Sequence, residues 1–235
     1  MDSPSHFTVA TYNVHGCVGS DGRSDPERVA AVIRELNAEV IGLQEVFSSS
    51  EAGNRWGHME YLAQVSGLHA IPGHTMKRKD SNYGNVLLTR FSVLRTDNMD
   101  LSIGGREPRG AIDAILKIDN KPIRVIVTHL GLKGKERLYQ TRLIARKVQE
   151  DKSCLLLLLG DINEWYPLSR SLRCLKSCLG KSFARPTFPA RSPVLRLDRI
   201  WVRPINALVR VWTHRTALSR LASDHLPLKA LIALR

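Results

Sequence analysis

Residues 154–165 read CLLLLLGDINEW, and this stretch decides the fold. Five consecutive leucines make a segment built for a core, and a short apolar run that stops at a glycine fits a buried strand. It is far too short to span a bilayer, which takes about 20 residues. Its tip carries Asp161, Asn163 and Glu164. Ionised carboxylates are costly to bury without compensation. A buried strand with an acidic end is therefore expected to deliver that end to a water-accessible rim, where rigid oxygen donors suit a hard cation such as Mg²⁺ or Mn²⁺.

Residues 121–163, upstream of this tip, spell strand, helix, strand. KPIRVIVTHLG is a strand ending in His129. KERLYQTRLIARKVQED is an amphipathic helix with Leu138, Ile144, Ala145 and Val148 turned to the core, and the leucine strand follows. Residues 7–46 use the same grammar. FTVATYNVHG is a strand rich in β-branched and aromatic residues that carries Asn13 near its end. SDPERVAAVIRELN is a helix capped by Asp25 or Ser24, with Val29, Val32, Ile33 and Leu36 on one face. AEVIGLQEV is a short apolar strand ending in Gln44 and Glu45. Such a repeat implies two similar layers packed face to face, with strand tips converging on one edge. GNVLLTRF, GAIDAILKI, VLRLDRIWV, ALVRVWTHR and LPLKALIAL add further strand candidates. The expected architecture is α/β, a pair of mixed sheets with helices outside.

The 235 residues, 43% of them hydrophobic, suffice for one substantial core, and no linker or low-complexity tract divides them; residues 1–235 are read as a single domain. The start, MDSPSHF, lacks the features of a signal peptide, so a cytoplasmic location is expected. A monomer is expected as well. Cys17, Cys154, Cys174 and Cys178 are too few for a disulfide framework in a chain this long and are read as buried or idle thiols. The net charge of +13 favours anionic partners: nucleic acid, a phospholipid surface or a phosphorylated small molecule. LGKS at 179–182 lacks the glycine a phosphate-binding loop needs, Leu175 standing in its place. No G-x-S-x-G elbow is present.

Polar residues recur at strand ends along the whole chain: Asn13, Glu45, His129, Asp161 with Asn163, Asp198, and Asp224 with His225. The motifs that hold them, TYNVHG, LQEV, THLG, GDINEW, LDRIW and SDHLPL, resemble the successive motifs of the endonuclease/exonuclease/phosphatase superfamily. Deoxyribonuclease I, exonuclease III-type repair enzymes, neutral sphingomyelinases and inositol polyphosphate 5-phosphatases belong to it. The match runs from about Thr8 to Ile232, and is closest to compact bacterial members.

The resemblance implies a four-layer α/β-β/α sandwich and metal-assisted hydrolysis of a P–O bond. In that pattern Glu45 is the main Mg²⁺ ligand, with Asn13 and Asp224 supporting the ion or its waters, and Mn²⁺ is a possible substitute. Asp161 orients or deprotonates the attacking water, while Asn163 and His129 bond the phosphate oxygens. Asp198 fixes the tautomer of His225, which stabilises the transition state or acts as the base; the base is Asp161 or His225. Arg109, at the start of a strand, is implied to grip phosphate oxygens with its fork. Tyr83 and Asn85 are candidate rim contacts.

The substrate is the open part. Basic residues cluster in GLKGKERLYQTRLIARK, where a solvated helix face is the simpler explanation, and at Lys77, Arg78 and Lys79 on a loop. A third cluster, RSLRCLKSCLGKSFARPTFPARSPVLR, precedes Asp198 and could line an anionic groove. Trp165, Trp201 and Trp212 are expected in or beside core strands, with Trp56 alone free on a loop. A lipid-surface enzyme needs exposed aromatic or apolar rim residues. Nucleic acid is therefore the preferred substrate, ahead of a phospholipid cleaved at a peripheral anionic membrane. A catalytically silent phosphate-binding module is the remaining class, and retention of every motif acid argues against it.

Overall fold

The computed structural model describes residues 5–49, 57–78, 81–150 and 155–234. The leucine strand, β8 (Leu155–Asp161), is apolar on both sides because both sides are covered. Leu157 and Leu159 enter the core between two sheets, whereas Leu156 and Leu158 pack beneath helices. Strand β1 (His6–Asn13) alternates in the same way: Phe7 and Val9 lie between the sheets, and Ala10 and Tyr12 face helices. Two-sided burial removes the polar alternation of a half-wet strand.

The first sheet has six strands in the order β10-β11-β1-β2-β4-β3. They are β10 (Leu208–Thr213), β11 (Leu228–Ala233), β1, β2 (Val40–Ser49), β4 (Ser81–Thr89) and β3 (His69–Arg78). The second has five in sequence order: β5 (Ser92–Asp100), β6 (Gly110–Ile118), β7 (Lys121–His129), β8 and β9 (Asp198–Arg203). Both sheets are mixed. β1 and β2 run parallel across helix α1 (Pro26–Leu36), and β7 and β8 run parallel across α3 (Gly134–Gln149). Asp25 caps α1, accepting a hydrogen bond from the Arg28 backbone N–H. Helices α1 and α2 (His58–Ser66) cover the first sheet, and α3 and α4 (Arg170–Leu179) the second. The result is the four-layer α/β-β/α sandwich.

Topology positions the site. The parallel strands β1, β2, β7 and β8 all end at one edge, and the antiparallel β9 and β11 begin there, as the pairing of Asp161 with Asp198 and of Thr11 with Leu228 shows. Side chains from both sheets therefore meet at a single rim.

Several expectations need correction. β2 does not stop at Glu45 but continues to Ser49 through a bulge between Leu43 and Val46, where Glu45 adopts φ 61°. In α3, Leu138 is only partly covered, while Glu136, Arg137 and Gln140 are buried. The first turns of that helix face polar partners rather than the leucine core: Arg137 pairs with Glu164, and Gln140 accepts from the Gly131 N–H. Trp201 is buried and Trp212 half-buried, but Trp165 is 58% exposed on the loop after β8. Trp56, Lys79 and Cys154 lie outside the described residues. Cys17, Cys174 and Cys178 are free thiols, and burial pushes Cys17 up to about 12 and Cys178 up to about 11.

Candidate active site

Asn13 ends β1 at the centre of the rim. Its Nδ2 donates to Glu45 Oε1 at 2.9 Å and to Asp161 Oδ2 at 3.0 Å, while its own Oδ1 accepts from the His15 backbone N–H at 3.0 Å. One amide nitrogen thus joins a carboxylate of the first sheet to a carboxylate of the second. Glu45 reaches it because the bulge re-aims the side chain; a non-glycine residue in the left-handed region costs of order 1–3 kcal/mol, and such strain gathers at functional sites. The Tyr83 hydroxyl also bonds Glu45, and burial together with that carboxylate keeps the phenol protonated.

His129 ends β7 beside Asp161. Arg109 Nη1 lies 3.1 Å from its Nδ1, and Asn163 Nδ2 and Asp161 Oδ2 lie 3.0 and 3.5 Å from its Nε2. The Arg109 guanidinium and the Asn163 amide nitrogen are both donors, and the Asp161 carboxylate is an acceptor, so the imidazole is held at both ring nitrogens. Burial, reinforced by Arg109 and His225, drives the His129 pKa down to about 3 against the pull of Asp161, so the ring is neutral. Arg109 is buried, steadied by Glu107 at 3.2 Å, and its Nε has no partner among the described residues. Asn163 takes φ 53°, which asparagine tolerates, and also donates to the Leu130 carbonyl at 2.9 Å.

Behind the rim, Asp198 Oδ2 accepts from His225 Nδ1 at 2.8 Å and from the Thr187 hydroxyl at 2.6 Å. His225 Nε2 points at Asp161 Oδ2, 3.7 Å away. Burial alone would lower the His225 pKa, but Asp198, Asp161 and Asp224 outweigh it and hold it up to about 10. The Ser223 hydroxyl donates to the Asn13 carbonyl at 2.8 Å and accepts from the His225 N–H at 3.2 Å, tying the β11 entry loop to β1.

A cavity of about 410 Å³ opens over these groups. Asn13, Glu45, Arg109, His129, Asp161, Asn163 and His225 all line it, with Tyr83 and Leu132 on its walls. Asp198 stands behind His225, and Asp224 is not among the lining residues: its carboxylate lies 3.7 Å from His15 Nδ1. Sequence reasoning misses Thr187 and Ser223. Ser223 sits inside the SDH motif, but Thr187 has no local signal, since only the folded loop brings it to Asp198.

For a divalent cation the fitting donors are Glu45 and Asp161, two carboxylates held on one amide and facing the cavity. Asp161, Asp198 and His225 also have donor atoms within 4.8 Å of one another. That trio suits a hard cation poorly, because His225 Nδ1 and Asp198 Oδ2 are already committed to each other.

Residues 10–225 match the model of the Endonuclease/Exonuclease/phosphatase family. The chain belongs to that family. Its members are phosphoester hydrolases. The uncharacterized protein YbhP of Escherichia coli K12 is 30% identical, with 97% of this chain and 96% of YbhP aligned. Two solved structures share the fold at lower identity. D. rerio TDP2 complexed with a single-strand DNA product has a TM-score of 0.75 at 16% identity, covering 98% of this chain and 100% of that one. A mannosyl-6-phosphatase of Bacteroides thetaiotaomicron has a TM-score of 0.73 at 18% identity, covering 96% and 99%. Among the described residues no helix is long and apolar enough to cross a membrane.

Proposed function

We propose that the chain is a divalent-metal-dependent phosphodiesterase whose preferred substrate is nucleic acid. The observation that carries this reading is the convergence of Asn13, Glu45, Arg109, His129, Asp161, Asn163 and His225 on one cavity, with Asp198 behind His225. Glu45, with Asp161 beside it, would hold a Mg²⁺ or Mn²⁺ ion, which would supply Lewis acidity to the phosphate. Arg109, His129 and Asn163 bind its non-bridging oxygens. Asp161 accepts the proton of the attacking water as the water oxygen bonds to phosphorus. The bond to the leaving oxygen breaks, and that oxygen takes a proton from solvent. With Nδ1 committed to Asp198 and Nε2 turned to Asp161, His225 is arranged to donate to the charge that builds on the phosphate.

The test is hydrolysis of bis-p-nitrophenyl phosphate and of DNA and RNA with Mg²⁺ or Mn²⁺. Glu45→Ala and Asp161→Asn should each cost several orders of magnitude in turnover with the fold intact. Near-normal rates in either variant would overturn the mechanism.

A second reading, phospholipid cleavage at an anionic membrane, is supported by the loops after β7 and β8. Leu132, Trp165, Tyr166 and Leu168 are all exposed there, which meets the apolar condition of a lipid-surface enzyme. Efficient hydrolysis of anionic liposomes, with no nuclease activity at low or moderate salt, would select it.

A further inference from the structure

A second concavity, larger than the catalytic cavity, lies among the described residues. A groove of about 920 Å³ runs beside β9 and β10, the edge strands of the two sheets. It begins at Trp165, two residues beyond Asn163, and its floor includes Arg199, next to Asp198. Lys181, Arg185, Arg196, Arg210 and Arg215 supply five more cations, and no carboxylate lines it. All five are exposed, and among the described residues none is in an ion pair. Rings are interleaved with them: Phe183 lies under Lys181, and Trp212 under Arg210, whose guanidinium is 5.3 Å from the ring centre.

Charge on an edge strand also discourages sheet-to-sheet association. That accounts for Arg210 on β10, but not for Lys181, Arg185, Arg196 and Arg215, which belong to neighbouring loops. Cations spaced along walls call for a ligand with several phosphates, and rings between them call for flat faces to stack. A bilayer needs a protruding apolar face, whereas these groups line a concavity. A duplex hides its bases from such rings.

We propose that this groove binds single-stranded nucleic acid, with its cations on successive phosphates and Trp165, Phe183 and Trp212 stacking bases, so that a strand is fed to the catalytic cavity. The proposal deepens the phosphodiesterase reading and rests on it only for what happens to the strand. Binding can be measured alone.

Fluorescence anisotropy in EDTA, where no hydrolysis occurs, would use a labelled single strand of ~12 nucleotides, the same sequence as duplex, and phosphatidylglycerol vesicles. The single strand should bind at least about tenfold tighter than the duplex, with affinity falling steeply as salt rises. Arg196→Glu with Arg210→Glu should weaken it by about tenfold or more and flatten the log–log salt slope by roughly 1.4, about 0.7 per lost contact. Trp212→Ala should weaken it about fivefold or more. Arg185→Glu with Arg215→Glu, at exposed loop positions, provides a second charge reversal should the first pair disturb β10. Turnover of bis-p-nitrophenyl phosphate should be unchanged in both charge variants. Loss of that turnover in the parent chain would defeat the phosphodiesterase reading while leaving the groove intact. Binding indifferent to these substitutions, equal affinity for duplex, or vesicle binding through the same arginines with no oligonucleotide binding would each overturn the groove.

Discussion

Asp198 touches no substrate-facing surface, yet the orientation of His225 depends on it. One of its oxygens serves both His225 and Thr187, and the other is buried with no partner among the described residues. Asp198→Asn replaces the acceptor with an amide that fits either partner poorly. Turnover should fall about 10³–10⁴-fold, by analogy with removing the orienting acid of a catalytic triad, when measured at a temperature where the variant remains folded. A variant with more than a tenth of parental turnover would rule out the positioning role. Glu164 makes a prediction of a different kind. Burial would raise its pKa, but Ser171, the Tyr166 N–H and Arg137 outweigh that and hold it below the usual carboxylate range. A depressed folded pKa gives stability that is complete above the unfolded value, about 4.3, and is lost as pH falls through the folded one. Glu164→Gln should therefore cost about 3 kcal/mol at pH 7, where it strands a buried Arg137, and progressively less in acid. Urea unfolding at several pH values would show this, and a difference independent of pH would refute it.

Among the elements, β8 carries an unusual problem. Five identical leucines slid by one residue along β7 would bury nearly the same surface, so composition alone sets the register weakly. Gly160 supplies the missing constraint. It pairs with Thr128, and a Cβ built there would lie 2.0 Å from the Thr128 carbonyl oxygen, so only glycine fits opposite that residue. Gly160→Ala should destabilise the fold by about 3 kcal/mol through overpacking and reduce activity further by spreading His129 from Asp161. Wild-type stability in that variant, by chemical denaturation, would disprove the account. The strand–helix–strand repeats were legible in the sequence because their side chains bury at periods of 2 and 3.6. β5 was not legible: it is exposed along almost its whole length, and what makes it a strand is its ladder with β6. The buried polar turns of α3 were missed for a related reason. Arg137 is satisfied by Glu164, 27 residues away, and no local pattern announces such a pair. The site was legible wherever a strand end carried an acid, amide or imidazole. Thr187 reaches it from an irregular loop and was not.

At the scale of the molecule, the site lies on the seam between the sheets, and Asn13 is the crossing point. Its single nitrogen binds Glu45 of one sheet and Asp161 of the other. Two carboxylates so close repel, and one neutral amide compensates them only in part. A divalent cation bound there would attract both and draw the halves of the sandwich together. Because it favours the folded chain, it should raise the melting temperature in step with its concentration, contributing about 2.7 kcal/mol at a hundredfold excess over its dissociation constant. Glu45→Ala should abolish that response, whatever its effect on hydrolysis; a melting temperature blind to Mg²⁺ and Mn²⁺ in the parent chain would remove the basis for it. In the cell the consequence is one of supply. Were the halves joined through such an exchangeable ion, the chain's lifetime, as well as its turnover, would be governed by the free metal around it, and starvation for that metal would expose it to proteolysis before it merely became idle.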